Sequence, residues 1–210
     1  MKVLLLNGSP KANGNTAAAL HEMEKVFAKE GIETEIIHIG DKPVRSCLGC
    51  GACYKRKDGT CALGDQDGMN EWVAKIREAD GILLGSPVHF SGISGAMKCF
   101  CDRLAYAAGA CDKVLYHKVG AAVAAVRRSG GIPAVDTMMK YLTYHEMLIP
   151  GSNYWNVIHG RTPGEVLQDA EGVQIMQVLG RNMAWMLKMR EKGLDEAPAR
   201  ERKTMMHFIR

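Results

Sequence analysis

The chain has 210 residues, 47% hydrophobic and 24% charged, with a formal net charge of +4. That is enough for one domain with a large core, and the composition is ordinary for a globular protein. The charge is too modest for a nucleic-acid surface, because basic residues are scattered until Arg200, Arg202, Lys203 and Arg210 gather in the tail. No apolar run approaches the roughly 20 residues that span a bilayer. The N-terminus enters an apolar run directly, without the charged, apolar and small-residue order of a leader, so a cytoplasmic protein with no membrane partner is expected.

Residues 2–7 read as a buried strand. They break into Gly8-Ser9-Pro10-Lys11-Ala12-Asn13-Gly14-Asn15-Thr16, a small-residue, hydroxyl-rich loop ahead of a helical segment. Unpaired N–H groups at a helix N-terminus attract an anion, and Ser9, Asn13, Asn15 and Thr16 add side-chain donors. The same residues also suit a plain turn leading to a capped helix.

Further short apolar runs occur at about 33–39, 80–85, about 118–126 and about 147–152. Helical spacing places Leu20, Met23 and Phe27 on one face, then Met69, Trp72, Val73 and Ile76. The later sets are Met97, Phe100, Cys101 and Leu104; Val135, Met138, Met139 and Leu142; and Met176, Leu179, Met183 and Met186. Strand and helix alternate five times. This predicts a doubly wound α/β fold with a five-stranded parallel sheet in a three-layer sandwich. One domain is expected over 1–195, followed by a tail over 196–210 that either wraps a neighbouring subunit or stays disordered.

In such a fold, ligands bind beyond the carboxyl ends of the strands, where strand order reverses. The loop after the third strand, Gly85-Ser86-Pro87-Val88-His89-Phe90-Ser91-Gly92, is apolar and aromatic, with glycines that permit close backbone approach. Arg127-Arg128-Ser129-Gly130-Gly131 follows the fourth strand and Tyr154-Trp155-Asn156 the fifth. A phosphate pocket beside a flat apolar loop suits flavin mononucleotide (FMN), and Arg127 or Arg128 could balance the negative charge of a reduced flavin. The arginine pair is equally read as a solvated loop or a subunit contact. The G-x-G-x-x-G dinucleotide fingerprint and the Walker phosphate loop are both missing.

Seven cysteines, an odd number, argue against a disulfide framework. Cys47, Cys50, Cys53 and Cys61 form a C-x2-C-x2-C-x7-C window. This compact thiolate spacing suits a 4Fe-4S cubane, a tetrahedral zinc site, or packed or redox-active thiols without metal. Cys99, Cys101 and Cys111 read as small apolar residues in and after the third helix. No catalytic triad or carboxylate pair stands out.

Leu6-Asn7-Gly8-Ser9-Pro10-Lys11 with Gly14-Asn15-Thr16, Gly85-Ser-Pro-Val-His-Phe90 and Ser94-Gly-x-Met-Lys-x-Phe-x-Asp-Arg103 closely resemble the NAD(P)H-dependent FMN reductase family of flavodoxin-like proteins. The resemblance covers nearly the whole chain. It implies an FMN phosphate held by Ser9, Asn13, Asn15 and Thr16, and a ring held by Pro87, Val88, His89, Phe90, Ser91 and Gly92; Lys11 and Arg127 join them as candidate cofactor-binding residues. In relatives, tyrosine commonly occupies the position of His89. The resemblance also implies a homodimer or homotetramer and electron transfer from NAD(P)H to a quinone, flavin or similar small acceptor. The cysteine window resembles the motif of the iron-sulfur flavoproteins, in which a cluster exchanges electrons with FMN and a ferredoxin-type protein is the partner.

Overall fold

A computed structural model describes residues 1–111, 114–201, 204 and 206. In the first strand, β1 (Lys2–Asn7), side chains alternate between the two faces. Val3 and Leu5 enter one core, Leu4 and Leu6 the other, and all four are fully buried. A strand apolar on both faces needs helices on both sides, and the chain supplies them.

The sheet holds five parallel strands in the order β2 (Glu33–His38), β1, β3 (Gly81–His89), β5 (Val119–Val126) and β6 (Val157–His159). A two-residue strand, β4 (Gly92–Ile93), folds back antiparallel on the end of β3. Helices α1 (Asn15–Lys29) and α6 (Ala170–Lys192) cover one face, packing Leu20, Phe27, Met176 and Met183 against Val3, Leu83 and Val123. Helices α3 (Met69–Glu78), α4 (Gly95–Gly109) and α5 (Gly131–Tyr144) cover the other with Trp72, Phe100, Met138 and Leu142. Each large apolar side chain fully buried in these layers contributes about 1.5–3 kcal/mol. A short helix between β2 and α3, α2 (Ala52–Arg56), buries none of its residues.

Local chemistry sets the helix ends. At the end of α1, Gly31 takes φ 71°, and its N–H and that of Ile32 close on Ala28 and Phe27 carbonyls, a Schellman stop. Ser94 caps α4 by accepting from Met97 N at 3.2 Å, and Asp169 caps α6 by accepting from Gly172 N at 2.9 Å. The ammonium of Lys118 donates to the carbonyls of Ile76, Arg77 and Ala79 at 2.5–2.6 Å, satisfying the end of α3.

The fifth parallel strand departs from the sequence reading. Within 147–152, Leu148 makes a single bridge to Val119, and the strand itself is Val157–His159, paired with Ala124–Val126. Both segments lie along β5. Between them the chain leaves the sheet at Pro150, which has no N–H for a ladder. Tyr154, Trp155 and Asn156 therefore precede the last strand instead of following it. Beyond α6, Tyr116 donates its hydroxyl to the Pro198 carbonyl at 2.9 Å, and Arg200 reaches Glu146 at 3.1 Å, so the start of the 196–210 tail returns to the domain. The remainder of that tail falls largely outside the described residues. No described helix is long and apolar enough to cross a membrane.

Candidate functional site: a cleft at the strand ends and a cysteine window

The carboxyl ends of β1, β3, β5 and β6 open on a cleft of about 230 Å³. Ser9, Lys11, Asn15 and Thr16 line one side, Pro87, Val88 and His89 another, and Arg127 and Arg161 a third. The loop after β1 is held rigidly. Asn7 Oδ1 accepts from Ser9 N at 3.0 Å, Ser9 Oγ accepts from Lys11 N at 3.1 Å, and Gly8 N donates to Gly85 O at 2.8 Å. Ser94 Oγ donates to Gly8 O at 2.7 Å, and a His38 ring nitrogen contacts Ser9 O at 2.7 Å. Close approach leaves no room for a side chain at Gly40, where an added Cβ would lie 2.1 Å from Ser9 O.

Helix α1 opens into this cleft with its donors unclaimed. Its N-cap is Gly14, no side chain caps it, and its first turn carries no acid. Thr16 Oγ1 and Asn15 Oδ1 are buried without a hydrogen-bond partner. Buried polar atoms are rarely left so. Lys11, Arg127 and Arg161 bring positive charge, and no carboxylate is found among the described residues that line the cleft. The site therefore suits a phosphate at the helix end and an apolar, flat group against Pro87–His89.

The sequence-predicted residues divide here. Ser9, Lys11, Asn15, Thr16, Pro87, Val88, His89 and Arg127 share the cleft wall, while Asn13 is exposed and stands outside it. Phe90 and Ser91 form a two-residue turn between β3 and β4 with φ 48° and 63°, the type that matches strand twist. Phe90 is fully exposed at that tip, and Phe90, Ser91 and Gly92 lie beyond the cleft lining. Arg128 turns to a neighbouring hollow with Tyr154 and Trp155. Sequence reasoning missed Arg161, because it placed the last strand too early. The available signal was Gly160-Arg161-Thr162-Pro163 directly after Val157-Ile158-His159. Glu165 fixes this loop by accepting from Arg161 N at 2.7 Å and Thr162 N at 2.6 Å, and these bonds hold its carboxyl below the usual range.

The second region, residues 45–63, is mostly irregular. Gly49 and Gly51 take φ 62° and 67°, and Lys57 ends α2 at φ 56°. Cys47, Cys50, Cys53 and Cys61 all line one small cavity of about 30 Å³, together with Arg103. Asn70 clamps Cys61 from both sides, accepting from its N–H at 2.8 Å and donating to its carbonyl at 3.1 Å. Burial is the main cause that pushes the Cys53 thiol up, with the Cys47 and Cys50 thiols adding to it. Among the described residues, no group of three or more His, Cys, Asp or Glu side chains is placed to hold a metal ion. Four thiols around one cavity are the donor set of a cubane, in which each iron takes its own thiolate. The cavity as it stands holds little more than a water or two, so a cluster requires the window to open. Cys101, by contrast, is buried in α4 with its thiol 3.6 Å from Met97 Sδ, a packed apolar residue.

A three-layer parallel sandwich with a cationic, glycine-cradled cleft at its strand ends defines a flavodoxin-like protein. Solved structures share this fold. RosB with bound 8-demethyl-8-formylriboflavin-5'-phosphate superposes over 100% of this chain and 94% of its own, at TM-score 0.68 and 16% identity. An archaeal flavodoxin superposes over 90% and 99%, at TM-score 0.58 and 17% identity. The chain belongs to the NADPH-dependent FMN reductase family, whose profile matches residues 1–162. It is also 35% identical to an iron-sulfur flavoprotein of Methanocaldococcus jannaschii over 91% of this chain and 100% of that one.

Proposed function

We propose that the chain is an FMN-dependent oxidoreductase that passes electrons from NADH or NADPH to a small acceptor such as a quinone or a flavin. The observation that carries this reading is the pairing, in one cleft, of an uncapped helix N-terminus bearing the unpartnered hydroxyl of Thr16 with the apolar wall Pro87–His89. FMN would supply the hydride and electron chemistry. The α1 N–H groups, Ser9, Asn15 and Thr16 bind its phosphate, while Lys11, Arg127 and Arg161 balance charge. Pro87, Val88 and His89 exclude water from one edge of the ring. A homodimer or homotetramer in the cytoplasm accompanies this reading as what the family resemblance implies, and the seven cysteines, all free thiols, suit a reducing compartment.

A second reading has its own support. Four thiols line one cavity, and a relative of nearly full coverage bears the name iron-sulfur flavoprotein. On this reading, Cys47, Cys50, Cys53 and Cys61 hold a 4Fe-4S cluster, and a ferredoxin-type protein is the electron donor.

Anaerobic purification followed by flavin and iron analysis tests both. The first reading expects FMN to bind at least about 100-fold more tightly than riboflavin, since the phosphate meets several charge-assisted bonds, and expects rapid bleaching by NAD(P)H. Equal affinity for the two flavins would sink the phosphate assignment, and an unbleached flavin would sink the donor. About four irons per chain support the cluster, and an iron-free chain removes it.

A further inference from the structure

Four of the chain's six tyrosines meet in one place. Tyr54 of α2, Tyr106 of α4, and Tyr141 and Tyr144 of α5 line an open cavity of about 460 Å³, against about 230 Å³ for the cleft at the strand ends. Helical spacing builds it. Along α5, Ala134, Met138 and Leu142 are buried in the core, while Thr137, Lys140, Tyr141 and Tyr144 repeat at offsets of three, four and seven on a second face that lines the cavity. Ala105 adds only a methyl group to the lining, which leaves depth beside Tyr106.

The rings are not packed away. Tyr54, Tyr106 and Tyr144 are each about half exposed, and Tyr54 meets Tyr106 edge to face with centroids 6.3 Å apart. Aromatic faces held in a concavity of this size and left in water suit a flat ring that covers them.

Charge selects among flat ligands. Asp102, which accepts from the Tyr141 hydroxyl, is already neutralised by Lys98 at 2.7 Å, and the Lys98 ammonium stands 5.7 Å from the Tyr141 ring centroid. Glu146, two residues past Tyr144, accepts from Arg200 at 3.1 Å. No carboxylate is found among the described residues that line the cavity. Lys140 lines it as well, exposed and without an ion pair among the described residues. An uncommitted ammonium beside the rings attracts an anion and repels a cation that would otherwise sit on tyrosine faces.

We propose that this cavity binds a planar aromatic carboxylate, with its ring among the tyrosines and its carboxylate on Lys140. The site is separate from the flavin cleft. The two share no lining residue, and from Gly95, where α4 starts, to Ala105 the helix advances about 15 Å. The inference goes beyond the oxidoreductase reading and does not rest on it.

The experiment titrates the full chain, saturated with FMN to keep the cleft occupied, with 2-naphthoate by calorimetry. Two comparison probes are 2-naphthamide, which is uncharged, and decahydro-2-naphthoate, which is not flat. One 2-naphthoate per chain is expected, bound at least about tenfold more tightly than either comparison probe. Lys140→Gln is expected to bring 2-naphthoate down to the level of the amide. Tyr144→Leu is expected to weaken both flat probes about tenfold and to leave the saturated one unchanged. FMN affinity stays the same in both variants, because neither residue lines the cleft. Equal binding of the three probes overturns the proposal, as does 2-naphthoate binding untouched by both substitutions. Absence of 2-naphthoate binding also overturns it, and an oligomer that Tyr144→Arg dissociates in sedimentation then assigns this face to a second copy of the chain. A chain that takes up no FMN sinks the flavin reading alone, since the Lys140 and Tyr144 variants still locate the probe.

Discussion

The cleft at the strand ends and the cysteine window present two ways of building a site. Walls of the cleft come from the last residues of regular strands, the loops that follow them and the first turn of α1, and the loop after β1 is tied down by main-chain bonds such as Gly8 N to Gly85 O at 2.8 Å. The window hangs from a few anchors, among them Asn70 on Cys61 and Arg103 on Asp67. Its short helix α2 buries nothing. One site is preorganised by the sheet; the other can rearrange around what it binds.

Glycines make the contrast measurable. Gly40→Ala puts a Cβ 2.1 Å from the Ser9 carbonyl, backbone against backbone, and is expected to cost about 3 kcal/mol or more together with loss of bound flavin. At Gly51 the space is open and φ 67° is the only obstacle, so Gly51→Ala is expected to cost about 1 kcal/mol and to keep flavin. Urea unfolding and flavin content check both. Equal losses would erase the distinction.

Acid should loosen the window side first. His145 is buried beneath it, where Tyr54 of α2 and the His145 ring both crowd the space beside Gly109, and its Nε2 has no partner. Burial, assisted by Arg200, pushes its pKa down to about 4. The unfolded chain binds a proton near the ordinary histidine value while the folded chain does not. Its contribution is therefore intact above about pH 6.5 and is lost as pH falls through about 4, by at most roughly 3 kcal/mol. Thermal unfolding of wild type and His145→Gln across this range is expected to show a shallower acid slope for the variant. Parallel slopes would remove His145 from the account.

Thr16→Val gives the smallest and cleanest effect. The hydroxyl is buried and unpartnered, so its removal should leave the flavin-free protein as stable as before, or slightly more so. FMN affinity is expected to fall about tenfold, while riboflavin affinity stays unchanged. Calorimetric titration with both flavins would expose an error if both fell alike.

Much of the fold was legible in the sequence because it rests on short-range pattern. The runs at 2–7 and 118–126 match β1 and β5 closely, since two-face burial writes itself as continuous apolar residues, while 33–39 marks the edge strand β2, in which only Ile37 is buried, and 80–85 stops short of β3, which continues to His89. The last strand was misread because Leu148-Ile149 is the more apolar run, while Val157–His159 is only three residues long and owes its place to pairing with β5. Arg161 was lost with it. Asn13, Phe90, Ser91 and Gly92 looked equivalent to their neighbours, and only the turn at Phe90-Ser91 shows which of them point away.

By itself, the sequence determined the strand and helix alternation, the small-residue loop before α1 and the cysteine spacing, because periodicity, caps and ligand spacing act over a few residues. Only the tertiary structure decided that Arg127 and Arg161 reach one cleft while Arg128 does not. It alone placed Arg103 beside the thiols and against Asp67, 36 residues earlier in the chain. Such meetings depend on strand order and helix packing, in which distant residues become neighbours by sharing a buried surface.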